Sequence, residues 1–277
     1  MKYFSRAWRQ LRVYFRKKII LFLDFDGTLA PIANTPQQAS IAPSLMTILQ
    51  RLARQSQCQI VIISGRALTD VQEKVEIDGI IYVGNHGLEI RGNQAFKLEV
   101  PVTSTTKQIL KQIKKDLGAS VRHIPGAWVE DKEKTLALHF RLVDRQNVSE
   151  LKRRFNKICF PYLQTNQIKV RQEKKVLEVR PPIDWDKGKA VVWILRKMKL
   201  YSSQKKTKTI FYLGDDKTDE DAFKVLRERK DSVTVCVGKR KKTFARYYIK
   251  AEWEVPRLLR NILQIRAEES HVSTHRG

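Results

Sequence analysis

The stretch that most constrains this chain is residues 19–29, I-I-L-F-L-D-F-D-G-T-L. Five apolar residues, Ile19 to Leu23, run unbroken into Asp24. Such a run reads as a strand buried on both faces, as in the middle of a parallel sheet. Asp24 and Asp26 stand two apart, so at a strand end they point to the same side. Gly27 permits a sharp backbone turn just after them. Two carboxylates at the carboxyl edge of a parallel sheet sit where α/β folds bind ligands. Close carboxylates repel unless a cation holds both, and Mg²⁺, a hard cation that takes oxygen ligands, resolves the conflict. An ionised Asp24 can then attack phosphorus while Asp26 carries the proton. D-x-D alone reads as a strand followed by a polar turn; the apolar run before it and Gly27-Thr28 after it favour the site.

The following segments repeat the pattern. Ser44 to Arg54 reads as a helix, Gln59 to Ile63 as a strand ending in Ser64-Gly65-Arg66, and Ala67 to Val75 as a helix. This β-α-β-α order is that of a parallel sheet with right-handed crossovers. Ser64 and Gly65 can offer hydroxyl and backbone N–H donors to a phosphate; as a helix N-cap Ser64 would need no ligand. Ile80 to Val83 reads as a third strand, ending in Gly84-Asn85-His86-Gly87-Leu88-Glu89. At the mouth of the sheet, His86 is expected to contact ligand.

Residues 101–180 change character. Thr103 to Leu117 reads as a helix stopped by Gly118, and Trp128 to Asp131 with Thr135 to Arg141 as a hairpin. Asn147 to Leu163 reads as a second helix, and Gln167 to Arg171 with Lys175 to Val179 as a second hairpin. The α-β-β-α-β-β repeat predicts a four-stranded antiparallel sheet with two helices on one face. Pro101 and Pro181-Pro182 mark its hinges. Beyond them Lys187 precedes a helix placed at Ala190 to Met198; a lysine there opposes the helix dipole, which argues for a task other than helix stability. Thr209 to Leu213 is a fourth core strand running into G-D-D-K-T-D-E-D, an acidic cluster in a basic chain. Ser232 to Val237 reads as a last strand, Val255 to Arg266 as a last helix, and 267–277 as a frayed tail.

Across 277 residues, 54 Lys and Arg oppose 29 Asp and Glu, a net charge of +25. That balance suits anionic partners: phosphorylated substrates, nucleic acid or acidic membrane surfaces. No RNP-type aromatic motif or zinc-finger spacing accompanies it, so no specific nucleic acid is expected. In residues 1–18 seven basic side chains interleave with Phe4, Trp8, Leu11 and Phe15 at helical spacing. This stripe is expected to pack on the body of the protein, the alternative being a surface for membrane or nucleic acid. Cys58, Cys159 and Cys236 lie far apart with no metal spacing and read as reduced. No apolar stretch approaches the roughly 20 residues of a transmembrane helix. A cytoplasmic, monomeric protein is the expectation.

The Asp24, Asp26, Gly27, Thr28 stretch resembles the first motif, D-x-D-G-T, of the haloacid dehalogenase superfamily. Ser64, Lys187 and the Gly214-Asp215-Asp216 turn match its second, third and fourth motifs in order, each beside a strand end. The resemblance implies a Rossmann-like α/β core over 19–100 and 182–266, with an inserted α+β cap over 101–181. It implies an aspartyl-phosphate on Asp24, Asp26 as acid and base, and Ser64 and Lys187 on the phosphoryl group. Mg²⁺ would be held at Asp24, Asp26 through its backbone carbonyl, and Asp215, with Asp219 beside them. The further strings I-S-G-R, G-N-H-G-L-E, V-E-D-K, H-F-R, K-x-x-x-E-V-R-P, D-K-G-K-A and G-D-D-K-T-D-E-D-A-F look like trehalose-6-phosphate phosphatases. That resemblance implies substrate contacts at Gly65, Arg66, Asn85, His86 and Glu89, and sugar contacts from the cap at Glu130, Lys132, Arg141, Lys174 and Glu178. Asn85 stands where family members often carry a small residue. Two alternatives stay open: the same chemistry on glucosylglycerol phosphate or sucrose phosphate, and a catalytically silent basic protein that binds nucleic acid or anionic membrane.

Overall fold

A computed structural model describes residues 1–201 and 208–274. In chain order the elements begin with β1 (Lys2–Tyr3), α1 (Phe4–Phe15), β2 (Lys18–Asp24), α2 (Pro43–Ala53), β3 (Cys58–Ile63), α3 (Leu68–Val75), β4 (Ile81–Gly84), β5 (Glu89–Arg91) and β6 (Lys97–Glu99). Then come α4 (Ser104–Val121), β7 (Trp128–Asp131), β8 (Leu136–His139), α5 (Arg145–Gln164), β9 (Lys169–Glu173) and β10 (Val176–Arg180). The chain closes with α6 (Lys187–Lys197), β11 (Lys208–Gly214), α7 (Asp219–Arg227), β12 (Ser232–Val237), β13 (Tyr247–Ile249) and α8 (Val255–Thr274). It divides into two units: Met1–Leu98 with Trp185–Gly277, and Glu99–Asp184 between them.

In the larger unit nine strands lie in the order β1-β13-β12-β11-β2-β3-β4-β5-β6. Every neighbouring pair from β1 to β4 is parallel, and β5 turns back antiparallel on β4. The apolar run of β2 sits inside this sheet, between β11 and β3. Its alternate side chains serve two cores: Ile19, Leu21 and Leu23 meet residues of α1, α2, α3 and α8, while Ile20 and Phe22 meet those of α6 and α7. Burial on both faces is why the run has no polar member. Register then places the site. Asp24 pairs with Ile63, one residue before Ser64, and Leu23 pairs with Leu213, two before Asp215.

Residues 1–18 are built into this unit. Lys2 and Tyr3 pair in parallel with Tyr247 and Tyr248, and α1 buries Phe4, Ala7, Leu11 and Phe15. Phe4 and Phe15 meet Phe211 edge-on, with ring centroids 6.3 and 5.9 Å apart. The apolar stripe therefore packs inward. The last helix runs to Thr274, so 267–274 are helical rather than frayed; 275–277 lie outside the described residues. Burial of Leu263 and Ile265 carries α8 to Arg266, whose Nη1 donates to the carbonyls of Arg16 and Lys17 at 3.1 and 3.0 Å. Helix α6 starts at Lys187, three residues ahead of the expected start, because Asp186 caps it by accepting from the Lys189 N–H at 2.8 Å.

In the smaller unit, α4 and α5 cover one face of an antiparallel sheet ordered β7-β8-β10-β9. The two hairpins join through β8 and β10, with Leu177 opposite Leu138. Leu110, Ile113, Leu117 and Val121 of α4 form one core with Leu151, Phe155 and Cys159 of α5 and with Leu136, Leu138, Leu177 and Val179 of the sheet. Gly118 does not stop α4. Burial of Leu117 and Val121 either side of it outweighs the roughly 1 kcal/mol that a helical glycine costs. Cys159 and Cys236 are buried and Cys58 partly so, all three free; burial pushes each thiol up to about 12. Among the described residues no helix is long and apolar enough to cross a membrane.

Candidate active site

The carboxyl edge of the central strands collects buried Lys187 and several acids. Lys187, at the start of α6, is 2 % exposed; its Nζ donates to Asp24 Oδ1 at 2.7 Å and to Asp219 Oδ1 at 2.8 Å. Burial works to lower the Lys187 pKa, but Asp219 and Asp24 outweigh it and raise it well above the ordinary lysine value. Burial raises the Asp24 carboxyl well up against the pull of Lys187, and Asp219 and Asp215 add to the rise. Both shifts express one imbalance: Asp24 and Asp219 share one lysine with Asp215 and Asp216 close by, so carboxylates outnumber it.

Asp219 is the hub that orders the cluster. Its Oδ1 accepts from Lys187 and from the Tyr212 hydroxyl, each at 2.8 Å, and its Oδ2 accepts the backbone N–H groups of Asp215 at 2.9 Å and Asp216 at 3.0 Å. Four donors occupy two oxygens with about four lone-pair sites. Asp219 anchors Lys187 and shapes the Gly214-Asp215-Asp216 turn, and its carboxylate also lies within reach of a metal shared with Asp24 and Asp215. Burial and the Asp219 charge raise the Tyr212 phenol well up, so it stays a donor. Asp216 accepts from the Thr218 N–H and hydroxyl, both at 2.7 Å. Burial works to raise it, yet Lys187 and these Thr218 bonds prevail and hold it well below the carboxylate range. Sequence reasoning passed over Asp216 and Tyr212: the first lies inside the G-D-D string, the second in an apolar strand that gives no sign of a polar task.

The residues fit a divalent cation. Oxygens of Asp24, Asp215 and Asp219 come within 4.8 Å of one another. Asp24 Oδ2 is buried without a hydrogen-bond partner among the described residues, an expensive state for a carboxylate oxygen unless a cation meets it. Gly27 has φ +80, and a Cβ there would stand 2.3 Å from Asp215 Oδ2, so the turn after the first strand leaves room for that carboxylate. The surplus of carboxylates favours a cation, and all-oxygen donors suit Mg²⁺.

Around the cluster, Asp26 turns its side chain to Arg66, whose Nε and Nη2 each donate to it at 2.7 Å. Arg66 also donates to Asp70 at 2.6 Å. Asp70, four residues on along α3, is a partner that helical spacing could have revealed. Arg66, expected to touch substrate, engages Asp26 and Asp70. Ser64, 1 % exposed, sits between β3 and Arg66, and its Oγ accepts the Arg66 N–H at 3.2 Å. The 84–89 loop docks here: the Asn85 N–H donates to the Arg66 carbonyl at 2.6 Å and the His86 N–H to the Ser64 carbonyl at 2.9 Å. Asn85 and His86 take left-handed backbone angles, φ +46 and +56. A Cβ on Gly65 would meet the His86 ring at 2.4 Å, so Gly65 makes room for that ring. Asn85 Nδ2 donates to Glu89 Oε2 at 2.6 Å, and Trp185 Nε1 ties Gly87 at 2.6 Å.

The insert carries its own polar network. Lys132 Nζ donates to Glu178 Oε1 at 3.2 Å, and Thr135 reaches the same oxygen at 3.4 Å. The other Glu178 oxygen accepts from Arg180 Nε, and Arg180 Nη2 donates to Glu173 at 3.1 Å. Glu130 pairs with His139 Nε2 at 2.8 Å, and Trp128 stacks on that ring with centroids 4.1 Å apart. Arg141 Nη2 donates to the Lys174 carbonyl at 2.8 Å. Of the five expected sugar residues, Lys132 and Glu178 are joined directly, Arg141 and Lys174 through backbone, and Glu130 has a separate partner. Arg180, Glu173 and His139 were not anticipated: each reads in sequence as one more charged or polar strand residue.

The relatives agree with this geometry. The family model described as trehalose-phosphatase matches residues 22–253. Trehalose-phosphate phosphatase B of Arabidopsis thaliana is 34 % identical over 257 residues, spanning 90 % of this chain and 67 % of that protein. Among solved structures, the C-terminal domain of a C. albicans trehalose-6-phosphate phosphatase superposes with a TM-score of 0.77 at 22 % identity, covering 92 % of this chain and 96 % of that one. A haloacid dehalogenase-like hydrolase from Bacteroides thetaiotaomicron superposes at 0.61 with 16 % identity, over 89 % and 99 %. These two structural likenesses concern the fold. A carboxylate-lysine cluster at the edge of a parallel sheet, an α-β-β-α-β-β insert and a family match over most of the length converge on one assignment: the chain belongs to the trehalose-phosphatase family.

Proposed function

We propose that this chain hydrolyses trehalose 6-phosphate to trehalose and phosphate through an aspartyl-phosphate on Asp24. The observation that carries the reading is Asp24 itself, paired through one oxygen with buried Lys187 at 2.7 Å and, among the described residues, left with the other unpartnered. Asp24 attacks phosphorus in line. Lys187 and Ser64 take up charge that spreads over the phosphoryl oxygens, so positioning and electrostatics supply most of the acceleration. Asp26 gives a proton to the leaving sugar hydroxyl, then accepts one from the water that hydrolyses the aspartyl-phosphate. Asp24, Asp215 and the backbone carbonyl of Asp26 would hold Mg²⁺, which supplies positive charge to offset that of nucleophile and phosphate.

Sugar hydroxyls need donors and acceptors together, and Glu130, Lys132, Arg141, Lys174 and Glu178 provide both. We assign them, with His86 and Glu89, to the disaccharide. The silent basic binder rests on the charge alone, since the apolar stripe of residues 1–18 is buried. The test is a phosphate-release screen over trehalose 6-phosphate, sucrose phosphate, glucosylglycerol phosphate, hexose phosphates and nucleotides, each with EDTA and with EDTA followed by Mg²⁺. Release from trehalose 6-phosphate above all others, lost in EDTA and restored by Mg²⁺, is expected. A flat substrate profile, or full activity in chelator, refutes the reading.

A further inference from the structure

Arg66 spends its guanidinium on neighbours in its own unit. Nε and Nη2 fork onto Asp26 Oδ2 and Oδ1, both at 2.7 Å, and Nη1 donates to Asp70 Oδ2 at 2.6 Å. The guanidinium also lies over the ring of Phe25, the residue between the two aspartates, 5.0 Å from its centroid. The Arg66 side chain is 6 % exposed, whereas that of Asp26 is 42 %. The arrangement continues outward: Lys74 Nζ lies 4.0 Å from Asp70 Oδ1 and donates to the carbonyls of Gln37 and Ala39 at 3.2 Å. Two parallel bonds from a planar fork set the plane of a carboxylate as well as attract it. A buried fork backed by a second carboxylate thus fixes the direction in which a solvent-facing acid presents its oxygens.

We infer that Arg66 is a positioning residue for Asp26 in the second half of the reaction. The inference rests on the role proposed above for Asp26. In that step the water oxygen bonds to phosphorus, the bond between phosphorus and the Asp24 oxygen breaks, and Asp24 leaves as carboxylate. The proton of the water passes to Asp26 and orthophosphate departs. Water is the least constrained reactant of the cycle: a sugar is held by its own hydroxyls, but the attacking water is aligned chiefly by its base. The plane of Asp26 therefore matters most here.

The experiment compares the full-length wild type with Arg66→Ala, Arg66→Lys and Asp70→Asn on p-nitrophenyl phosphate, whose leaving group needs no proton. Steady-state rates, the p-nitrophenolate burst and acid-quenched phosphoenzyme are measured together. In Arg66→Ala, kcat should fall about 10- to 100-fold, part of the roughly 10²–10⁴ that acid–base catalysis contributes. KM should fall with it, and the quenched enzyme should carry more phosphate than wild type, because the intermediate now waits for water. Arg66→Lys keeps the charge without the fork and should recover part of the rate. Asp70→Asn keeps the fork, loosens its backing, and should shift the same readouts less; with Arg66→Lys it carries the test if Arg66→Ala does not fold. A kcat within twofold of wild type, or a fall in kcat with no added phosphoenzyme, overturns the inference. Asp26→Asn is the control for the parent reading: it should accumulate phosphoenzyme from the aryl ester, and its failure to do so overturns the aspartyl-phosphate mechanism and this inference with it.

Discussion

Lys187 in the larger unit and Lys132 in the insert are both buried, 2 % and 9 % exposed, and both hold their protons more tightly than a lysine in water. In each, burial pulls the pKa down and nearby carboxylates outweigh it: Asp219 and Asp24 around Lys187, and Glu178, Glu130 and Glu173 around Lys132. The difference lies in the balance of charge. Around Lys187, the carboxylates of Asp24, Asp215, Asp216 and Asp219 meet one lysine, and among the described residues one Asp24 oxygen has no donor. In the insert, Lys132 and Arg180 donate to Glu178 and Glu173, and the third carboxylate, Glu130, pairs with His139, so each acid has a partner. A balanced set is a fixed polar surface, suited to matching hydroxyls. An unbalanced set keeps a demand for positive charge, suited to a metal ion and to a nucleophile. On the function proposed above, the same kind of buried pair would serve recognition in one place and reaction in the other.

The comparison breaks or sharpens under substitution. The largest effect belongs to Asp24→Asn, which keeps shape but removes the nucleophile. Turnover of trehalose 6-phosphate and of p-nitrophenyl phosphate should fall by about 10³-fold or more, with circular dichroism unchanged; residual kcat of more than a few per cent removes Asp24 from that role. Next is Lys187→Ala, expected to cost roughly 10²–10³-fold on both esters, since both develop charge at the same phosphoryl group. Lys132→Ala should divide the substrates. Loss of a buried charged hydrogen bond costs about 1.5–3 kcal/mol, roughly 10- to 150-fold in kcat/KM on trehalose 6-phosphate, while the aryl ester stays within a few-fold of wild type. Equal losses on both substrates would erase the distinction between the two lysines.

The smallest effect concerns alkaline stability. The folded pKa of Lys132 is raised, so the stabilisation it gives is complete below the unfolded value of about 10.4 and is lost as pH rises through the folded value. Thermal midpoints measured from pH 9 upward should therefore fall more steeply for wild type than for Lys132→Met, by about 2–4 °C for each kcal/mol of lost pairing. Parallel curves would mean that the pair contributes nothing to folding that a methionine does not.

The core of the fold was legible because its strands are long, apolar and end in acids or small polar residues. Asp24, Ser64 and Asp215 follow β2, β3 and β11 closely, and parallel register alone brings them together. Lys187 was legible because a lysine at a helix start needs a reason. What escaped is of two kinds. Strands of two or three residues, such as β1, β5, β6 and β13, are too short to show a period of two. Partnerships across long separations were invisible as well. Arg66 reaches Asp26 across 40 positions, and Lys132 reaches Glu178 across 46. The hydrogen bond that Tyr212 gives Asp219 was hidden too, because the tyrosine sits in an apolar strand. Gly118 misled in the opposite sense, since its helical neighbours are held by packing that a local reading does not see.

The split of the larger unit around the insert bears on the order in which the chain folds. Lys18 on β2 pairs with Lys208 on β11, so the central strand waits for a neighbour about 190 residues downstream. The insert is one contiguous stretch, Glu99–Asp184. Loop closure slows distant pairings, and domains form as units during synthesis. On a ribosome the insert can become native while β2 still has an open edge, and Asp24 and Lys187, 163 positions apart, can meet only after α6 has emerged. Conditions that delay chain completion would expose the most apolar strand of the molecule, with its edge unpaired, for longer than any other element. Aggregation during expression would then start at Ile19 to Leu23, the same stretch that later carries the nucleophile.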